Sequence, residues 1–224
     1  VTIARNPESW GILLDGRPVR TPLKNTLQTP FETLARAVGD EWAAQGAMIK
    51  PHTMPLTQIL NTRIDRIPLE RAAMSDLVLK YLDTDLLCYR ALHPPEVAAL
   101  QRKAWDPYLA WCKKQYGIAL KTTQDLSALR QDAPTHQALR QAVEKLDDEH
   151  FTLLQLITPL SGSIILALAF VERAIDAENL YTAIRVEEMY KVQLYGDDAF
   201  LESEKEQTLK NELRAAKLYL GFLK

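Results

Sequence analysis

Proline placement divides this chain more sharply than any other feature. Seven of its twelve prolines lie at or before residue 68, where they break the chain into pieces too short for long helices. "TIARN", "WGILLDG", "PVRTP" and "TLQTP" are strand-like segments separated by Asn-Pro, Asp-Gly and Thr-Pro turn signals, so the chain up to residue 30 reads as β. Asp15-Gly16, between "GILL" and "RPVR", is the strongest hairpin cue because both residues tolerate positive φ. Thr29-Pro30-Phe31-Glu32 then reads as a capping box with proline in the first turn, opening a helix that runs to Gly46. A connector, "MIKPHTMPLTQILNTRIDRIP", leads into a second helix from about Met54.

Past residue 68 the pattern is helical almost throughout. It predicts helices over 69–92, Pro94–Gly117 (rephased at Asp106-Pro107), 135–147, 149–157, 161–174, 177–195 and 199–222. The expected fold is α+β: a small, mainly β N-terminal domain over 1–55, with one helix near 30–45, then a larger α-helical domain over 56–224. At 224 residues the chain is long enough to bury a real core.

Composition removes several function classes. A net charge of −2 lacks the basic excess of a nucleic-acid binder. The longest apolar run, "SIILALAFV" (163–171), falls short of the roughly 20 residues a membrane span needs, so no membrane insertion is expected. No basic segment followed by an apolar one opens the chain, which points to an intracellular setting. Cys88 and Cys112 form no CxxC and are expected to serve as small apolar residues. His52, His93, His136 and His150 are scattered, with no pair at metal-ligand spacing. GxGxxG, GxxxxGK[ST] and GxSxG are all absent, and Ser161 in "LSGSI" reads as the N-cap of the apolar helix that follows. No catalytic residue, metal or cofactor is expected.

One stretch, "KYLDTDLLCYR" (80–90), does carry the residue types of a site. On a helix each residue advances about 100°, which aims Asp83 and Asp85 about 200° apart and keeps them from converging. Leu79, Leu82, Leu86 and Tyr89, joined by Val78, form the core stripe, with Asp85 at its edge. The stretch therefore reads as a structural seam in which a partly buried Asp85 is held by hydrogen bonds or by an arginine, with Arg63, Arg66 and Arg90 as the candidates. The alternative is a small-molecule enzyme using Asp85, Arg63 and Tyr89 at the domain junction, which a deep polar pocket would favour.

The second feature is acidic. "VEEMYKVQLYGDDAFLESEKEQ" (186–207) holds Glu187, Glu188, Asp197 and Asp198 among its carboxylates. Such a run is ordinarily a solvated helix face; its alternative is a docking surface for a protein partner. Val186, Met189 and Val192 are expected to turn that helix's apolar side to the core.

Five segments, "LLDGRPVRTPLKN" (13–25), "MPLTQILNTRIDRI" (54–67), "YLDTDLLCYR" (81–90), "AWDPYLAW" (104–111) and "LSGSIILALA" (160–169), closely resemble in this order the ATP12 family of F1-ATP synthase assembly chaperones. The resemblance implies a β domain followed by an α-helical one. It also implies binding of the free F1 α subunit by a monomer that shields its interface until the β subunit replaces it. The setting would be the bacterial cytoplasm, or the mitochondrial matrix in a eukaryote. The family depends on a glutamate in the helix before a "WGxD" segment, here "AIRVEEMYKVQLYGDD", which places it at Glu188, or at Glu187 in the adjacent register, with Tyr195 where the family has tryptophan.

Overall fold

The computed structural model describes residues 1–125, 127–196 and 204–224. The α+β expectation holds: a four-stranded antiparallel sheet comes first and helices follow. In the sheet, β2 (Trp10–Leu14) pairs with β1 (Thr2–Arg5), β3 (Arg17–Pro18) and β4 (Gln28–Thr29). Asp15 and Gly16 both take positive φ, as a two-residue hairpin turn demands. Helix α1 (Glu32–Ala43) covers the sheet with Leu34, Ala35 and Val38, against which Ile12 of β2 is sealed. It starts at Glu32, later than the capping-box reading, and Thr29 Oγ1 reaches only the N–H of Phe31, at 3.4 Å.

Helix α2 (Pro55–Asn61) continues through a wide π-turn (Thr62–Arg66) into α3 (Ile67–Leu79). Pro68 explains the widening: it has no N–H to return to Ile64, and its ring would strike that carbonyl in a regular helix. The N–H of Ile67 accordingly bonds back five residues, to Thr62. Beyond Leu79 the predicted helix over 69–92 is not continuous. Residues 80–83 and 86–88 form tight turns, and Asp85 between them is extended because its side chain caps the N–H of Leu87.

Helix α4 (Pro95–Tyr116) passes Pro107 without the break expected at Asp106-Pro107 and stops at left-handed Gly117. Helices α5 (Ala133–Glu144), α6 (Asp148–Ser161) and α7 (Ile164–Val171) follow. Every residue of α7 is buried, which suits a helix apolar on all sides. Its N-cap is Ser163, which accepts from the N–H of Leu166; Ser161 instead ends α6 and bonds back to the carbonyl of Ile157. The predicted helix over 177–195 is two, α8 (Ala177–Ile184) and α9 (Val186–Tyr195), because Arg185 leaves helical geometry. Helix α10 (Glu204–Phe222) packs back across α2, α6 and α8. The apolar core runs without interruption from Ile12 in the sheet to Leu220 in α10.

No helix among the described residues is long and apolar enough to cross a membrane, and none of their His, Cys, Asp and Glu side chains gather in groups of three that could hold a metal.

Candidate functional site: a sealed seam and an exposed acidic helix

Asp85 is completely buried, and no arginine reaches it. One carboxylate oxygen accepts from the N–H of Leu87 at 3.0 Å and the other from the N–H of Ile165 at 3.2 Å. Ile165 lies in the first turn of α7, so this carboxylate caps the most buried helix in the molecule from outside it, where the helix dipole favours negative charge. Burial raises its pKa from the usual 3.8 to about 6, against the opposing pull of Ser163 and the backbone N–H groups of Leu87, Ile165 and Ile164.

The cationic partners expected for Asp85 are engaged elsewhere. Arg63 meets the buried Glu149 at 2.8 Å, and Glu149 in turn accepts from the Tyr219 hydroxyl of α10. Arg66 pairs with Glu70 on the helix surface at 2.8 Å. Arg90 holds Asp106 at 2.8 Å and lies over the Trp105 ring. Tyr89 donates to the Asp83 carbonyl and accepts from the N–H of Leu129, while Asp83 Oδ1 takes the N–H of Gln131 and the His136 ring. Asp83 and Asp85 take separate partners, as expected, but the helical wheel behind that expectation does not apply, because the backbone between them is not helical. A closed carboxylate with its oxygens occupied by main-chain donors offers no entry to a substrate, so the small-molecule reading at this position has no geometric basis.

Cys88 and Cys112 are buried and unbridged. Burial pushes the Cys112 thiol up to about 12 and raises the Cys88 thiol as well, leaving both unreactive at neutral pH.

Two further carboxylates, the buried Asp65 and the half-buried Glu41, had no sequence signal. Asp65, on the wide turn, accepts from Thr21 Oγ1 at 2.6 Å, the N–H of Leu23 at 3.0 Å and Asn25 Nδ2 at 2.8 Å. Burial would raise its pKa, but these three bonds outweigh it and leave it lowered. Glu41 of α1 caps α2 from outside, taking the N–H groups of Leu56 and Thr57 and the Thr57 hydroxyl. Glu41 falls at the edge of α1's apolar stripe, seven residues after Leu34, with nothing in its spacing to indicate α2, and the π-turn shifts the helical phase just where Asp65 falls.

Helix α9 is the exposed element. Of Val186, Met189 and Val192, only Val186 reaches the core; Met189 is 48 % exposed, with Leu194 at 55 % and Tyr195 at 71 % beyond it. The two glutamates point to different tasks. Glu187 accepts from Gln101 Nε2 of α4 at 2.8 Å, and the fully buried Gln101 accepts in turn from the N–H of Ala91. Glu188 makes a loose pair with Arg185 at 3.4 Å and keeps over a third of its side chain in solvent. Arg185 also approaches Glu206 of α10 at 3.8 Å. Asp197 and Asp198 lie outside the described residues.

A family model described as ATP12 chaperone protein matches residues 1–113. The solved structure of Atp12 from Paracoccus denitrificans is similar over the whole of this chain and 95 % of its own, at 31 % identity and a TM-score of 0.90. A solved protein from Agrobacterium tumefaciens is similar at 32 % identity and a TM-score of 0.90, over all of this chain and 84 % of its own.

Proposed function

This chain belongs to the ATP12 chaperone family, and from that premise we propose that it assists assembly of the F1 sector of ATP synthase by holding the free F1 α subunit until the β subunit takes its place. It acts as a monomer in the bacterial cytoplasm, without catalysis.

The observation that supports this reading best is α9. A helix that leaves Met189, Leu194 and Tyr195 in solvent beside carboxylates has the make-up of an interface, an apolar centre with a charged rim. Temporary shielding needs such a surface rather than a pocket, because the complex must form readily and still yield to the final partner. Glu188 is the contact residue, held only by its loose pair with Arg185 and so able to meet a basic group on the α subunit and set the register of docking. Glu187 anchors α9 through Gln101 and so acts on the partner indirectly.

The two glutamates should separate in experiment. Glu188→Lys is expected to melt close to the parent, since a loose, half-buried pair at 3.4 Å contributes little to stability. It should nevertheless fail to keep the α subunit soluble, because like charges at close range oppose docking. Glu187→Ala is expected to lower stability by about 1–2 kcal/mol, since it leaves the buried Gln101 amide without its acceptor. Melting curves and α-subunit light scattering on each variant check both. Full protection by Glu188→Lys would remove α9 from the proposed surface.

A further inference from the structure

The row Leu69, Ala73 and Leu77 runs along one face of α3 at four-residue spacing, with Leu69 76 % and Leu77 57 % exposed. Beside Leu77 opens a groove of about 400 Å3 between α3 and α6, floored by Met74, Val78, Tyr81 and Pro159. Its polar rim is cationic: Arg66 and Lys80 line it, and no carboxylate does. Arg66 is partly neutralised by Glu70, but Lys80 has no anionic partner among the described residues. Pro159 has no N–H to return to the carbonyl of Gln155, another residue of the lining.

We infer that this groove is a second docking site, taking a segment of the client chain in which a carboxylate neighbours an apolar side chain. The inference rests on the client-binding reading given above. The apolar side chain enters between Val78 and Pro159, removing water from Leu77, and the carboxylate pairs with Lys80. Charge complementarity selects that occupant: the groove presents cations on a chain whose net charge is −2 and whose exposed helix α9 is acidic. Two surfaces of opposite sign accept a client in one orientation only, and two weak contacts on one client give retention that neither provides alone.

A photoreactive amino acid placed at position 77, and in a separate variant at position 189, tests this on full-length chain co-expressed with the F1 α subunit. Adducts with the α subunit are expected from position 77. Leu77→Asp and Lys80→Glu should each weaken α-subunit capture about tenfold or more without shifting the melting curve, with Lys80→Gln milder. An adduct from position 189 alone would overturn the groove while leaving the α-subunit reading intact. Position 77 captured only by a second copy of this chain would also overturn it, assigning the groove to self-association. Adducts at neither position would overturn both readings.

Discussion

Asp65→Ala is expected to destabilise the protein by about 3–4 kcal/mol, a large effect for a polar side chain. Three donors converge on this carboxylate, from Thr21, Leu23 and Asn25, and alanine would strand the buried Thr21 hydroxyl and release the other two. A hydrogen bond to a charged group contributes roughly 1.5–3 kcal/mol, and three that share one acceptor are less than additive. The loop they hold carries the sheet, so hydrogen exchange in β2 should accelerate along with the loss of global stability. Asp65→Asn should recover part of the loss, since its carbonyl oxygen can still accept from Thr21 or Asn25 while its NH2 group meets the N–H of Leu23 badly. Urea unfolding measures the difference, and a loss below about 1 kcal/mol would show that the sheet does not depend on this clamp.

Asp85→Ala is expected to cost a similar amount in acid, about 3–4 kcal/mol, and distinctly less at neutral pH. The cost comes from two stranded main-chain donors, one in the first turn of α7. The pH dependence comes from burial. The folded state keeps the Asp85 proton up to about pH 6, whereas the unfolded chain gives it up near 3.8. The stabilising contribution of Asp85 is therefore complete below pH 3.8, declines between the two values, and is smallest above about 6. A shift of this size corresponds to about 3 kcal/mol at most, at 1.36 kcal/mol per pKa unit. The neighbouring thiols, Cys88 and Cys112, stay neutral across this window and add nothing to the slope. The parent-minus-variant difference in unfolding free energy, followed from pH 3.5 to 7.5, should fall as pH rises; a difference that grows with pH would reverse the assignment.

These two carboxylates also show where a sequence stops being readable. The Asp15-Gly16 hairpin, the change from β to α and the apolar helix of "SIILALAFV" are local, each determined by turn chemistry or by continuous apolarity, and each appears where expected. Asp65 and Asp85 depend on contacts 40 or more residues away along the chain, to Asn25 and to Ile165, which no spacing rule encodes. The same holds for the partners of Asp85: arginines nearby in sequence invite ion pairs, but main-chain N–H groups at a helix start can serve a buried carboxylate without them. The break at Arg185 was hidden because apolar periodicity continues across it, and that break is what swings α9 out of the core and leaves Met189 exposed. The five segments that resemble the ATP12 family gain a physical meaning from this. Those at 13–25 and 54–67 meet at Asp65, those at 81–90 and 160–169 meet at Asp85, and Arg90 joins the last pair to Trp105 and Asp106 of "AWDPYLAW". They are the joints of the fold, whereas α9 follows the last of them and Leu77 and Lys80 of the groove fall between two of them.

The most direct test of the assigned role is co-purification of this chain with isolated F1 α and β subunits. The expected result is a stoichiometric complex with α alone, none with β alone, and release of the chain as α–β pairs form when β is added to the first complex. A chain that ignores α, binds β equally well, or stays attached after β is added would contradict it.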